Sequence, residues 1–200
     1  QDIPWLRTPG MLQHADVPCY GPVDARIEGI SHPVGHGDGI RIDGFQPFTV
    51  WHVPGHTLSH IAFFNEDTLF CGDTLFSLGC GRLFEGTPAQ MLDSLDRLAA
   101  LPGETLVYCA HEYTVSNLTF ARAVEPGNQA LATRLEQALS RRAEGKATVP
   151  GQLAAERATN PFLRADQPSV KAAAAGRLGA TPADTVGSFA AIREWKNVFR

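Results

Sequence analysis

Residues 51–64 read WHVPGHTLSHIAFF, and the reading of this stretch decides between a helix and a strand-based fold. His52, His56 and His60 recur every fourth residue, the spacing that brings side chains onto one helical face and would align three imidazoles toward a metal ion. Pro54 and Gly55 oppose that reading. Proline lacks a backbone donor and its ring clashes with the preceding turn, and glycine favours a turn. Val50 to Val53 alternates as a strand does, so the stretch is expected to be a strand, a tight turn and a new element beginning near His56. The regular spacing is then accidental for His52, which is expected in the strand's packing, while His56 is displayed alone on the turn.

Working outward, short apolar runs bounded by Gly, Pro, Asn and Asp give strand expectations at Phe48–Val53, Ile61–Phe64, Thr68–Cys71 and Thr105–Cys109, and an earlier one at Val17–Tyr20. Asn65-Glu66-Asp67 reads as a hairpin turn. Thr87-Pro88-Ala89-Gln90 has the residues of a capping box, and Met91, Leu95 and Leu98 continue a helix that stops near Pro102-Gly103. Three strand ends each carry a metal-type side chain: His56 after the first, Asp73 after Thr68–Cys71, and His111 after Thr105–Cys109. If those strands share a sheet, the three converge at its edge, where α/β sheets hold ligands. Imidazole and carboxylate suit Zn, and also Fe or Mn.

Beyond Tyr113 the pattern becomes helical with no convincing strand. Leu131, Leu135 and Leu139 form one stripe ending at Gly145, Ala172–Ala175 is strong helix, and Thr181-Pro182-Ala183-Asp184 opens a helix carrying Phe189, Ile192 and Trp195. The chain is therefore expected to divide into 1–112, mixed α/β, and 113–200, all helical. Charge divides the same way: residues 1–112 hold 5 basic and 14 acidic residues, net −9, and residues 113–200 hold 12 basic and 7 acidic, net +5. All seven histidines lie in the acidic part, so a cation-binding half adjoins one that would attract an anionic ligand. No aromatics are interleaved with the basic residues, which argues against nucleic acid. Residues 44–65 lack charge, but proline, glycine and histidine interrupt them, against a membrane span. The amino end lacks the build of a signal peptide, and the four cysteines form no C-x-x-C pair; free thiols and a cytoplasmic location are expected.

Pro54 to His60, the run CGDTLFSLGCGRLFEGTP from Cys71 to Pro88, LVYCAHEYT from Leu106 to Thr114, and Arg193-Glu194-Trp195-Lys196-Asn197 together resemble the glyoxalase II family, the hydroxyacylglutathione hydrolases of the metallo-β-lactamase superfamily. The resemblance runs from about residue 17 to residue 200. It implies an α+β fold, a metallo-β-lactamase αββα sandwich, amino-terminally truncated, followed by a helical glutathione-binding domain. It further implies a site for two divalent metal ions, with His56 on one, His111 on the other, Asp73 bridging and His60 supporting. Glutathione would be held near Arg82, Tyr113, Arg193 and Lys196, with Phe84 lining the pocket. Arg193 and Lys196, three residues apart, share a helical face. The implied reaction is hydrolysis of an S-(2-hydroxyacyl)glutathione, typically S-D-lactoylglutathione, to glutathione and D-lactate by hydroxide generated at the metal site, the second step of methylglyoxal detoxification, in a monomer.

Ser59 and Ala110 stand where the family has Gly; both are small. The larger departure is the family's first metal motif, T-H-x-H-x-D-H, which is not among the 200 residues. His14-Ala15-Asp16 lacks its companion histidines and reads as a loop. Weak or absent activity is the expectation for the chain as given. The alternatives are a non-catalytic metal- or glutathione-binding remnant, another hydrolase of the superfamily, or a persulfide dioxygenase. The last lacks a comparable helical tail.

Overall fold

The structure, a computed structural model, describes residues 17–199, so His14-Ala15-Asp16 and the rest of the amino end lie outside the described residues. In chain order the strands are β1 (Tyr20–Pro22), β2 (His32–Val34), β3 (Gly39–Ile40), β4 (Phe48–His52), β5 (Ile61–Phe64), β6 (Thr68–Gly72), β7 (Leu75–Phe76), β8 (Gly79–Cys80), β9 (Leu106–Cys109) and β10 (Gly151–Gln152). The helices are α1 (Pro88–Ala99), α2 (Thr114–Val124), α3 (Gln129–Ala143), α4 (Leu153–Thr159), α5 (Pro168–Leu178) and α6 (Thr185–Val198). Six strands form one sheet in the order β10-β9-β6-β5-β4-β3; β1 pairs with β2, and β7 with β8.

Strands β4, β5 and β6 are successively antiparallel, and β6 runs parallel to β9. Two reversals and one parallel step leave β4, β6 and β9 pointing the same way, so their carboxyl ends reach one edge although β5 separates the first two. The β5–β6 hairpin turns at Asn65, whose side-chain oxygen accepts from the amides of Asp67 (3.3 Å) and Thr68 (2.9 Å), the local bonding that suits Asn to turns. Along β6, Leu69 and Cys71 are buried and Phe70 is exposed, the alternation of a strand with one face on the core.

That face packs on α1. Thr87 and Gln90 close the capping box on each other's backbone amides, and Met91, Leu95 and Leu98 are fully buried. One core continues from Leu69, Cys71 and Val107 of the sheet through these helix residues to Phe120, Leu153, Phe162, Phe189 and Ile192. The opposite face is covered over Val50 by Val34 and Ile40.

Four expectations are corrected. The first strand begins at Tyr20 rather than Val17. A strand does follow Tyr113: Gly151 and Gln152 pair with Val107 and Leu106 of β9, a contact too short and too distant in sequence to leave a periodic signal. Helix α6 opens at Asp184 rather than Thr181, because the Asp184 carboxylate accepts from Gly187 N–H and so caps the helix there. On α3, Leu131 is buried but Leu139 is 49% exposed, so the leucine stripe is only partly core.

Candidate metal centre

Two of the three strand-end residues, His56 and Asp73, are fixed from behind by hydrogen bonds. Pro54 and Gly55 turn the chain out of β4, with the Pro54 carbonyl held by the Ser94 hydroxyl of α1 at 2.8 Å. A Cβ on Gly55 would stand 2.8 Å from Met91 Cβ, so only glycine lets the helix approach this closely. His56, 7% exposed, points its Nδ1 at the Arg82 carbonyl, 2.9 Å away. A carbonyl only accepts, so Nδ1 carries the hydrogen and Nε2 keeps its lone pair. That lone pair faces Asp73 Oδ2 at 3.4 Å.

Asp73 follows a β6 irregularity at Gly72, whose φ of 52° is in the left-handed region. Its backbone N–H donates to His60 Nε2 at 3.1 Å, so His60 braces Asp73, with its ring edge-on to that of His56 at 5.8 Å. Burial, reinforced by the nearby His56, pulls the His60 pKa down to about 4, and the ring is neutral at ordinary pH. Burial raises the Asp73 pKa despite the attraction of His56 and His111. Asp73 Oδ1 is buried with no hydrogen-bond partner among the described residues. His111 Nε2 lies 3.5 Å from that oxygen, its ring stacked on Tyr113 at 5.0 Å.

His52 does not share this site. Its ring is exposed and donates from Nε2 to the Leu58 carbonyl at 2.6 Å, closing the turn instead of packing in the strand. Among the described residues no set of three or more His, Cys, Asp or Glu side chains closes round one point. The arrangement is instead two His–carboxylate pairs sharing Asp73. Two ligands each about 2.1 Å from a tetrahedral ion stand about 3.4 Å apart. Both pairs have that separation; the His56 lone pair is aimed at one oxygen of Asp73, and the other oxygen, beside His111, is buried with no hydrogen-bond partner among the described residues, which a cation between the pairs would satisfy. The residues present therefore fit a divalent ion.

All eight residues singled out from the sequence line one cavity of about 950 Å³: His56, Asp73, His111, Arg82, Phe84, Tyr113, Arg193 and Lys196. The sequence model of the metallo-beta-lactamase superfamily matches residues 5–111, and that of the hydroxyacylglutathione hydrolase C-terminus matches residues 112–199. A hydroxyacylglutathione hydrolase of Nitrosomonas eutropha is 48% identical over 194 residues, covering 96% of this chain and 76% of its own length. One from Xylella fastidiosa is 54% identical over 183 residues, covering 92% and 70%. The chain belongs to the hydroxyacylglutathione hydrolase family. Among solved structures, that of ETHE1 from Myxococcus xanthus is similar with a TM-score of 0.62 and 26% identity, covering 97% of this chain and 64% of that one.

Within this member of the hydroxyacylglutathione hydrolase family the cationic wall is uneven. Arg193 is 5% exposed and is committed to structure: Nη1 donates to the Cys80 carbonyl at 2.7 Å, Nη2 to Asn197 at 3.1 Å, and the guanidinium lies over Phe162 at 5.0 Å. It lines the cavity beside Lys196, on the helical face they share, with its guanidinium already bonded to the protein. The Lys196 ammonium sits 5.3 Å over Phe120, its pKa lowered by burial and then by Arg193 and Arg82. Phe84 is 65% exposed with its ring 4.9 Å from His56.

The sequence reading missed a clasp at the mouth. Arg26 pairs with Asp24 and Glu85, Ser59 donates to Asp24 at 2.6 Å, and the Leu58 amide donates to Glu85 at 2.8 Å. These contacts hold the turn that carries His56. No motif marks them, because each is an ordinary surface residue until the loop after β1 is folded over the turn.

Proposed function

We propose that the reaction of this protein is hydrolysis of S-(2-hydroxyacyl)glutathione thioesters, typified by S-D-lactoylglutathione, to glutathione and a 2-hydroxy acid, the second step of methylglyoxal detoxification, and that it is weak in the 200 residues as given, which do not include the T-H-x-H-x-D-H motif. The observation that carries the reading is Asp73 shared between His56 and His111 in a cavity that also holds Arg82, Tyr113 and Lys196. Relatives about 50% identical are hydroxyacylglutathione hydrolases, which supports it.

In this reading His56 Nε2, His111 Nε2 and the Asp73 carboxylate would contribute to the family's site for two divalent ions, zinc by preference. When bound, such ions supply Lewis acidity that makes water nucleophilic near neutral pH and polarises the thioester carbonyl. The chain's own contribution is placement. Arg82 O and His60 keep His56 and Asp73 in one orientation, Arg82 and Lys196 attract the glutathione carboxylates, and Tyr113 and Phe84 wall the reacting end. Holding the thioester carbon over the site is an orientation effect. Water's oxygen forms the new carbon–oxygen bond as the carbon–sulfur bond breaks, and its protons end on the glutathione sulfur and in solvent. Residues 1–112 then form the metal-holding part, which also brings Arg82 and Phe84 to the substrate, and 113–200 the helical part that binds glutathione. A cytoplasmic monomer completes the reading, consistent with four cysteines that form no disulfide.

The test follows thioester absorbance with S-D-lactoylglutathione before and after chelation and zinc repletion. Turnover lost to chelator and restored by zinc supports the reading. Tight binding of S-substituted glutathione with no turnover in either state would replace it with a binding-only role.

A further inference from the structure

Between Asp73 and Arg82 the chain makes the β7–β8 hairpin, whose tip, Ser77-Leu78, is buried against the helices: the Leu78 side chain packs with Leu118, Ala121, Leu131 and Ala138, and the tip's backbone meets polar side chains. Leu78 has φ 58°, the sole positive φ at a non-glycine residue among the described residues, and such a conformation persists only when its surroundings impose it. Glu156 of α4, 0% exposed, holds it from the backbone side while the Leu78 side chain is held by its apolar packing: Oε2 accepts from Leu78 N–H at 2.8 Å, and Arg134 of α3 neutralises Oε1. Asn160 donates to the Phe76 and Gly79 carbonyls at 3.2 and 3.0 Å and Asn117 to that of Ser77 at 2.9 Å. With two residues per strand, the hairpin cannot keep its shape by its own pairing.

What leaves the hairpin is the strap that orients His56. Gly81 lies so close to Asp73 that a Cβ would be 2.0 Å from the Asp73 carbonyl oxygen. The next residue supplies the carbonyl that fixes the His56 tautomer, and Phe84 and Gly86 donate their amides to the His56 and Gly55 carbonyls at 3.2 and 3.1 Å. We propose that Glu156 is a positioning residue for His56: by pinning the Leu78 amide it sets the strap whose Arg82 carbonyl holds the imidazole with Nε2 toward Asp73. The inference does not depend on which thioester the cavity takes, or on whether the chain turns one over.

The matched control is Glu125, another buried carboxylate, whose side-chain hydrogen bonds among the described residues go to Arg164 at 2.8 Å and Ser169 at 2.6 Å and not to the hairpin. Full chains carrying Glu156→Gln or Glu125→Gln are compared with the parent by long-range 1H–15N spectra of metal-free, 15N-labelled protein, with His56 assigned through His56→Gln. The parent should give His56 as the single Nδ1–H tautomer, and Glu156→Gln a mixture. Glu125→Gln should match the parent even where it loses as much thermal stability. Competition with a chelator should read about tenfold weaker zinc binding for Glu156→Gln alone, the low end of what loss of an outer hydrogen-bond partner produces. If Glu156→Gln does not fold, Asn160→Ser must alter the same signal. An unchanged His56 in the folded variant, or an equal change in Glu125→Gln, overturns the proposal.

Discussion

Gly81→Ala adds one methyl group at the point where the two halves of the site touch. The new Cβ would lie 2.0 Å from the Asp73 carbonyl oxygen and 3.1 Å from His56 Nδ1. An ordinary contact is about 3.5 Å, so the backbones must part by more than 1 Å. Neither yields freely, because Gly81 N–H donates to the Thr74 carbonyl and the next residue is bonded to His56. Overpacking of this kind costs about 1–3 kcal/mol, or roughly 2–12 °C in melting temperature for a chain this long. Displacement of reacting groups by about 1 Å also costs on the order of 100-fold in kcat. Gly176→Ala is the internal comparison. Gly176 is exposed inside α5 with nothing within 4 Å of an added Cβ, so alanine there should stabilise by about 0.5–1 kcal/mol. Thermal melting of both variants, with kcat and KM for the thioester, checks the pair. A Gly81→Ala chain that melts and turns over like the parent would refute the packing described at Asp73.

His60 is held neutral when folded, its pKa lowered to about 4, so its stabilising effect is present above the ordinary histidine pKa near 6.5 and is lost as pH falls toward 4. Denaturant titrations of the metal-free chain should show a decline of about 3 kcal/mol across that window, which His60→Gln flattens. Asp73→Asn removes a buried oxygen without a partner; the metal-free variant should melt no lower than the parent, yet gain nothing on adding zinc. Lys196→Ala should raise KM several-fold with little change in kcat, since it removes attraction felt equally by substrate and transition state; a fall in kcat alone would contradict its placement on the glutathione side.

Strand ends were the legible part of the site. His56, Asp73 and His111 each follow an apolar run closed by Gly, Pro or Ala, and period-two runs with turn residues are local signals. Proline and glycine also separated His56 from its apparent companions. Gly151-Gln152 and the Asp24–Arg26–Glu85 clasp were not legible, because both are made by segments far apart in sequence. His52 was assigned to packing from its place in an alternating strand, but it is the last residue of β4, where the alternation no longer has a covering layer. Glu156 looks like any glutamate of a surface helix; only the hairpin packed on α4 makes it a buried carboxylate.

The single hydrophobic core running from Leu69 and Val107 through Met91 to Leu153, Phe162 and Phe189 has a consequence for any attempt to treat the two matched regions as separable parts. A cut near residue 112 would divide that core rather than pass between two cores, leaving aromatic and aliphatic surface open on each piece. Residues 17–111 and 112–199 should therefore melt in one transition and fail to fold when expressed apart. Exchanging the helical region between relatives would succeed only when Leu153, Phe162 and Phe189 travel with partners that fill the same volume.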